Sequence, residues 1–176
     1  MNQTAGKAIF ITAHEFLIIL CKRETTGIML PQLITDISAD DKDLKTAMGE
    51  LITDGYLIPG NEGLYQISPE LNEMLDLMDA ASHTYVIMEN DGRFFPMYLY
   101  RLNMQVVALS PDKSHKDWIR LEMTRLDDKI YELLEYNRVS MTIQRFRRGQ
   151  TEPEKVLVID KDDPDGKDII EELMEE

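Results

Sequence analysis

Apolar residues in the first third of the chain recur at helical spacing. Thr12 followed by Glu15 forms a capping-box pattern, and an apolar run over residues 16–21 comes directly after it. The apolar positions cover more than one face of the predicted helix. We therefore expect a deeply buried helix, in which Cys21 is a small core residue.

The next predicted elements are three helices and a hairpin, at residues 31–37, 40–54, 56–67 and 68–78. Ser38 or Asp40 can cap the third helix of the chain, and Gly55 can end it. Two short apolar runs flank a Gly-rich turn at residues 59–63, which predicts the hairpin. Three helices, a hairpin and a helix over residues 8–80 are the order of a winged helix, a fold that binds proteins as well as DNA.

Residues 81–148 change to the alternating pattern of strands. The predicted strands lie at residues 84–89, 94–101, 104–110, 118–124 and 139–146. Asn90-Asp91-Gly92 is a strong hairpin turn, and a helix is expected over Leu126–Tyr136. This is an antiparallel sheet with a packed helix, so the predicted class is α+β.

The composition of residues 149–176 predicts an acidic tail. They carry eleven acids and three lysines, a net charge of −8, with Gly149 and Pro153 near their start. A strand-like run at Lys155–Asp160 and a short helix near Ile169–Met174 are expected within it. The sparse apolar residues predict a loosely attached segment that is dispensable for folding.

Composition narrows the classes of function. The chain has 176 residues, of which 43% are hydrophobic and 30% charged, which is ordinary for a globular protein. Its net charge of −14 argues against a general nucleic-acid binder and against docking on anionic membranes. No run approaches the roughly 20 apolar residues of a membrane-spanning helix. The single Cys21 cannot form an intrachain disulfide, so a soluble cytoplasmic protein is expected.

Candidate chemistry is sparse. The three histidines (His14, His83 and His115) lie far apart, without the spacing of metal ligands. Ser114 and His115, with nearby aspartates, suggest a catalytic triad, but a polar loop between strands explains them better. No Gly-rich phosphate loop occurs. The sequence therefore predicts no catalytic residue, no cofactor and no metal, and a protein that is not an enzyme.

The charge of the third helix bears on DNA binding. In a winged helix this element enters the major groove. Residues 40–54 carry five acids and two lysines, a net charge of −3, which argues against DNA as a partner. Arg145, Arg147 and Arg148 form a small basic stripe, which we interpret as neutralising the acidic body or tail.

Aromatic residues around the predicted Asn-Asp-Gly turn indicate a protein-binding surface. Aromatic side chains are typical anchors of protein interfaces, although the same residues also suit a core. Pro96 marks an edge or an interruption of the strand ladder. The predicted partner-binding residues are Asn90, Asp91, Arg93, Phe94, Phe95 and Tyr98.

Four segments together resemble a known family. They are Thr-Ala-His-Glu-Phe-Leu at 12–17, Leu-Pro-Gln-Leu at 30–33, Leu-Ile-Thr-Asp-Gly-Tyr-Leu at 51–57 and Tyr-Gln-Ile-Ser-Pro-Glu-Leu-Asn-Glu-Met-Leu at 65–75. With the strands and late helix that follow, their order over residues 11–137 is similar to that of the EspG-type chaperones of type VII (ESX) secretion systems. The chain is shorter than these proteins and adds the acidic tail.

The resemblance implies a cytosolic, non-enzymatic chaperone that binds helical-hairpin secretion substrates. An acidic protein without cofactor chemistry agrees with that function. The alternative is a winged-helix transcriptional regulator whose C-terminal part is a sensor or dimerisation domain. The charge on residues 40–54 discriminates between the two hypotheses.

Overall fold

The computed structural model of the chain describes residues 8–25, 27–37, 40–90, 96–112, 114–115, 117–129, 132, 140–160 and 163–175. The helices are α1 (Ala13–Arg23), α2 (Gln32–Thr35), α3 (Asp41–Thr53), α4 (Pro69–Ala80) and α5 (Gly166–Glu175). The strands are β1 (Ala8–Thr12), β2 (Leu57–Pro59), β3 (Tyr65–Ile67), β4 (His83–Glu89), β5 (Met97–Leu102), β6 (Gln105–Pro111), β7 (Trp118–Arg125), β8 (Met141–Arg147) and β9 (Lys155–Ile159). Residues 126–129 are also helical.

Local capping explains where the long helices of the N-terminal half begin. Thr12 Oγ1 accepts a hydrogen bond from the Glu15 backbone N at 3.2 Å, and the Thr12 backbone N donates to Glu15 Oε2 at 2.6 Å. Asp40 caps α3 by accepting from two backbone N–H groups, and Ser68 caps α4. Gly55, at a φ of +78°, follows the end of α3. These helix starts confirm the predictions from sequence.

Within the described parts of the chain, seven strands form one antiparallel sheet in the order β1-β7-β6-β5-β4-β8-β9. Strands β4 to β7 follow one another as a meander, and β1 joins its outer side through pairs such as Ile9 with Leu121. On the other side β8 pairs with β4, and β9 pairs with β8. Of the described strands, the first in sequence (β1) thus lies at one edge of the sheet, and the last (β9) lies at the other.

Both faces of the sheet carry a hydrophobic core. Strand alternation sends Val86 to the first face, where helices α1 to α4 pack, and sends Tyr85 and Ile87 to the second face. The second face is covered by Leu126 and by α5, whose Ile170 is fully buried. This arrangement of helices and an antiparallel sheet confirms the α+β class.

The N-terminal half follows the predicted order of three helices, a hairpin (β2 and β3) and a fourth helix. Its assignment to the winged-helix fold stays a prediction, as do the domain limits 8–80, 81–148 and 149–176. Strand β1 belongs to the first of these segments but pairs with β7 of the second segment. Among the described residues no helix is long and apolar enough to cross a membrane.

The expectation of a loosely attached tail is wrong. The predicted strand and helix both form, as β9 and α5. Strand β9 is hydrogen-bonded to β8 over five residue pairs, and Ile159, Ile170 and Leu173 are buried in the core of the second face. The prediction relied on the acidic composition of the segment. It overlooked these few apolar residues, because the residues they pack against lie far away in sequence.

Candidate functional site

An apolar groove runs between α1 and α3. Its volume is about 570 Å³, within the range of roughly 300–1,000 Å³ that is typical of ligand-binding clefts. It is lined by Leu17, Ile18 and Cys21 of α1 and by Asp41, Leu44, Lys45 and Met48 of α3. Apolar side chains form its floor, and one acid and one lysine stand at its rim.

The groove exists because α1 is apolar on more than its core side. Phe16 and Ile19 are fully buried, whereas Leu17 and Ile18 are only half-buried. Cys21 is exposed, so its assignment to the core is wrong. The apolar run that predicted a deeply buried helix therefore supplies two surfaces, one for the core and one for the groove. That excess of apolar positions was the sequence signal for this site.

The opposite wall belongs to a helix with an acidic outer side. Leu44 and Met48, one turn apart on α3, are half-buried and complete the apolar floor. Around them the exposed charges of α3 and its cap are mostly acidic: Asp40, Asp41, Lys42, Asp43, Lys45, Glu50 and Asp54. The groove therefore combines an apolar floor with a negative surround.

A buried carboxyl lies near the acidic C-terminal end of α3. Glu15 is 2% exposed and takes part in the capping box of α1. Burial raises the pKa of its carboxyl, and repulsion from Glu50 and Asp54 raises it further, against the lowering effect of its hydrogen bonds to Thr12. The end of α3 and the start of α1 thus bring three acids near one another.

The predicted partner-binding residues are only partly described. Asp91, Arg93, Phe94 and Phe95 lie outside the described residues. Asn90 extends the β4–β8 pairing, since its backbone N donates to the Ser140 carbonyl oxygen at 2.9 Å and its Oδ1 accepts from Thr142 Oγ1 at 2.6 Å.

Tyr98 is 8% exposed and belongs to the core of the first face, so its assignment to a partner surface is wrong. Strand alternation at β5 turns its ring inward beneath the helices. Burial raises the pKa of its hydroxyl. The aromatic strand therefore contributes to folding at this position.

The loop between β6 and β7 has the geometry of a turn. The Asp112 carboxylate accepts a hydrogen bond from the Ser114 backbone N at 2.6 Å, which lowers the pKa of Asp112. His115 Nδ1 lies 3.8 Å from the same carboxylate, and its ring contacts Trp118. Among the described residues no group of three or more His, Cys, Asp or Glu side chains is placed to hold a metal ion.

The arginines of β8 are engaged by the C-terminal segment. Arg145 Nε lies 2.7 Å from Glu154 Oε1, and Arg147 Nε lies 3.5 Å from Glu154 Oε2. His83 joins the cluster, with its Nε2 at 3.3 Å from Glu154 Oε1, and burial lowers the pKa of its ring. Two arginines of the basic stripe therefore neutralise an acid of the tail, as interpreted from the sequence.

A second cavity, of about 250 Å³, lies on the first face between α4, β5 and β8. Residues 27–29 and 147–151 close it at its ends. The hydroxyl of Tyr100 in its wall already donates to the Met29 carbonyl oxygen at 2.6 Å. This cavity is smaller and more enclosed by core side chains than the α1–α3 groove.

Comparison with known proteins finds no family model that matches the chain and no curated protein with significant sequence similarity.

Proposed function

We propose that this protein is a cytosolic, non-enzymatic adaptor or chaperone that receives an amphipathic helix of a partner protein in the α1–α3 groove. The observation that carries the proposal is the open apolar floor formed by Leu17, Ile18, Leu44 and Met48. An amphipathic helix laid in an apolar groove is a recurrent mode of peptide recognition.

The chemistry of the groove favours a particular kind of helix. Met48 is unbranched and adaptable, which suits a surface that accepts more than one apolar side chain. The acidic side chains around the floor favour lysines or arginines on the flanks of the bound helix. A helical hairpin with an apolar stripe, as in type VII secretion substrates, fits this description, and the resemblance to EspG-type chaperones supports that substrate class.

The alternative, a winged-helix regulator, is favoured by the order of the elements over residues 8–80. The same α3 that lines the groove would then read the major groove of DNA. Its five acids and two lysines over residues 40–54 repel phosphates, whereas DNA-reading helices present cations and amides. Charge therefore favours a protein partner.

Affinity capture from the native host, followed by mass spectrometry, tests the proposal. Wild-type bait is compared with Met48→Glu, which places a charge on the groove floor, and with Met104→Glu, a matched change at an exposed methionine elsewhere. We expect helical secretion substrates to be enriched by wild type and Met104→Glu and lost with Met48→Glu, provided that circular dichroism shows both variants folded. Equal capture by folded Met48→Glu would refute the groove.

A further inference from the structure

Among the strands that the structure describes, β9 lies at one end of the sheet. It pairs with β8 on one side, and no described strand pairs with its other side. The N–H and C=O groups along an outer edge are a template for another strand, and proteins usually block such edges with charges, prolines or bulges. Strand β9 begins with the charged Lys155, but its remaining four residues, Val-Leu-Val-Ile over 156–159, include no charge and no proline.

The exposed side of β9 is apolar. Val156 is 48% exposed and Val158 is 63% exposed, whereas Ile159 is buried on the second face. Through the strand register Val156 lies beside Gln144, and Val158 lies beside Thr142. An incoming strand would set its own side chains against these two valines, which would otherwise stay in water.

The net charge of the C-terminal segment indicates the chemistry of the occupant. Residues 149–176 carry a net charge of −8, and Glu152, Asp160, Asp165 and Asp168 are all exposed. A second copy of the chain would bring the same acidic segment, within a total charge of −14, against this one. A segment with basic ends is attracted instead.

We propose that the outer edge of β9 is a second docking surface, which binds an extended segment of a partner protein as an added strand. The segment has apolar side chains at alternate positions, to cover Val156 and Val158, and lysines or arginines at its ends. Main-chain hydrogen bonds supply affinity in this mode, and side chains at alternate positions supply specificity. The surface shares no residue with the α1–α3 groove and goes beyond the function proposed for it.

Fluorescence anisotropy with a labelled synthetic peptide tests this surface. The peptide has valine and isoleucine at alternate positions, threonine between them and Lys-Arg at both ends. Control peptides carry Asp-Glu ends or N-methylated backbone amides. Val158→Lys blocks the edge, Leu64→Lys is the matched change at an exposed leucine of the small hairpin, and Met48→Glu alters the groove.

Wild type, Leu64→Lys and Met48→Glu should bind the basic-ended peptide with equal affinity. This result does not depend on whether the α1–α3 groove binds a helix. Val158→Lys, the acidic-ended peptide and the N-methylated peptide should each weaken binding about tenfold or more. No binding by wild type at ~1 mM peptide, or equal binding of the N-methylated peptide, would overturn the proposal. Sedimentation equilibrium gives a further check, since a wild-type dimer that Val158→Lys dissociates would assign the edge to a second copy and also overturn it.

Discussion

Arg145 Nε on β8 lies 2.7 Å from Oε1 of Glu154, the residue that precedes β9. The same side chain reaches the other end of the C-terminal segment, where Arg145 Nη1 donates to the Leu173 carbonyl oxygen of α5 at 3.1 Å. One half-buried arginine therefore fastens both the last strand and the last helix to the sheet. The C-terminal segment is structural, and its removal should affect the whole fold.

Truncation after Arg148 should destabilise the protein severely. It removes β9 and α5, including buried Ile159, Ile170 and Leu173, and it uncovers the second face of the sheet. Each such side chain contributes roughly 2–3 kcal/mol by burial, against a total stability of about 5–15 kcal/mol for a typical domain. Thermal unfolding and binding of a hydrophobic dye measure the effect. A melting temperature within a few degrees of wild type would show that the segment is dispensable.

Arg145→Ala should destabilise the fold by about 1–3 kcal/mol, because it removes the ion pair of the half-buried Glu154 carboxylate and the hydrogen bond to the Leu173 carbonyl oxygen. Arg125→Ala is the matched control, since Arg125 forms an exposed ion pair with Asp127 that should contribute about 0.5 kcal/mol or less. Chemical denaturation of both variants gives the comparison. If both variants lose the same small amount of unfolding free energy, the contacts of Arg145 contribute no more than an exposed ion pair.

Glu15→Gln should raise the melting temperature at pH 7. Glutamine keeps the capping box with Thr12, and it removes a buried charge that faces Glu50 and Asp54. The pKa of Glu15 is raised by folding, so its favourable contribution is complete below the unfolded pKa and is lost as pH rises through the folded value. The advantage of the variant should therefore shrink as pH falls to about 4. A variant less stable than wild type at pH 7 would contradict this interpretation.

The protein should not bind duplex DNA. The net charge of −3 over residues 40–54 repels the phosphate backbone, and Arg145 and Arg147 are engaged by Glu154. A gel shift at low salt, where phosphate contacts are strongest, is the most permissive measurement. Salt-dependent binding at ~10⁻⁶ M or tighter would favour the regulator hypothesis.

The sequence predicted what local chemistry determines. The caps at Thr12, Asp40 and Ser68 fix where helices begin, because each acts within three residues of itself. The alternation of the strands gave the α+β class. Positions that depend on distant partners were harder: Tyr98 was assigned to a surface because its covering helices lie far away in sequence.

Two further errors have a related cause. Eleven acids concealed the apolar residues of β9 and α5, whose partners are on β8 and across the second face. The α1–α3 groove was missed because the apolar run, which covers more than one face of α1, was taken to mean that the whole helix is buried. The exposed thiol of Cys21 marks the side of α1 that the core leaves uncovered.

That thiol also reports directly on the proposed groove. Cys21 is the single cysteine of the chain and is one of the residues that line the groove, so a bound helix should shield it from a thiol reagent. A synthetic helix with a leucine stripe and lysine flanks is the probe, and Met48→Glu is the control variant. We predict that saturating probe slows the reaction of Cys21 in wild type about tenfold or more. In Met48→Glu, Cys21 should react at the same rate with and without the probe. An unchanged wild-type rate at ~1 mM probe would contradict a helix-binding groove.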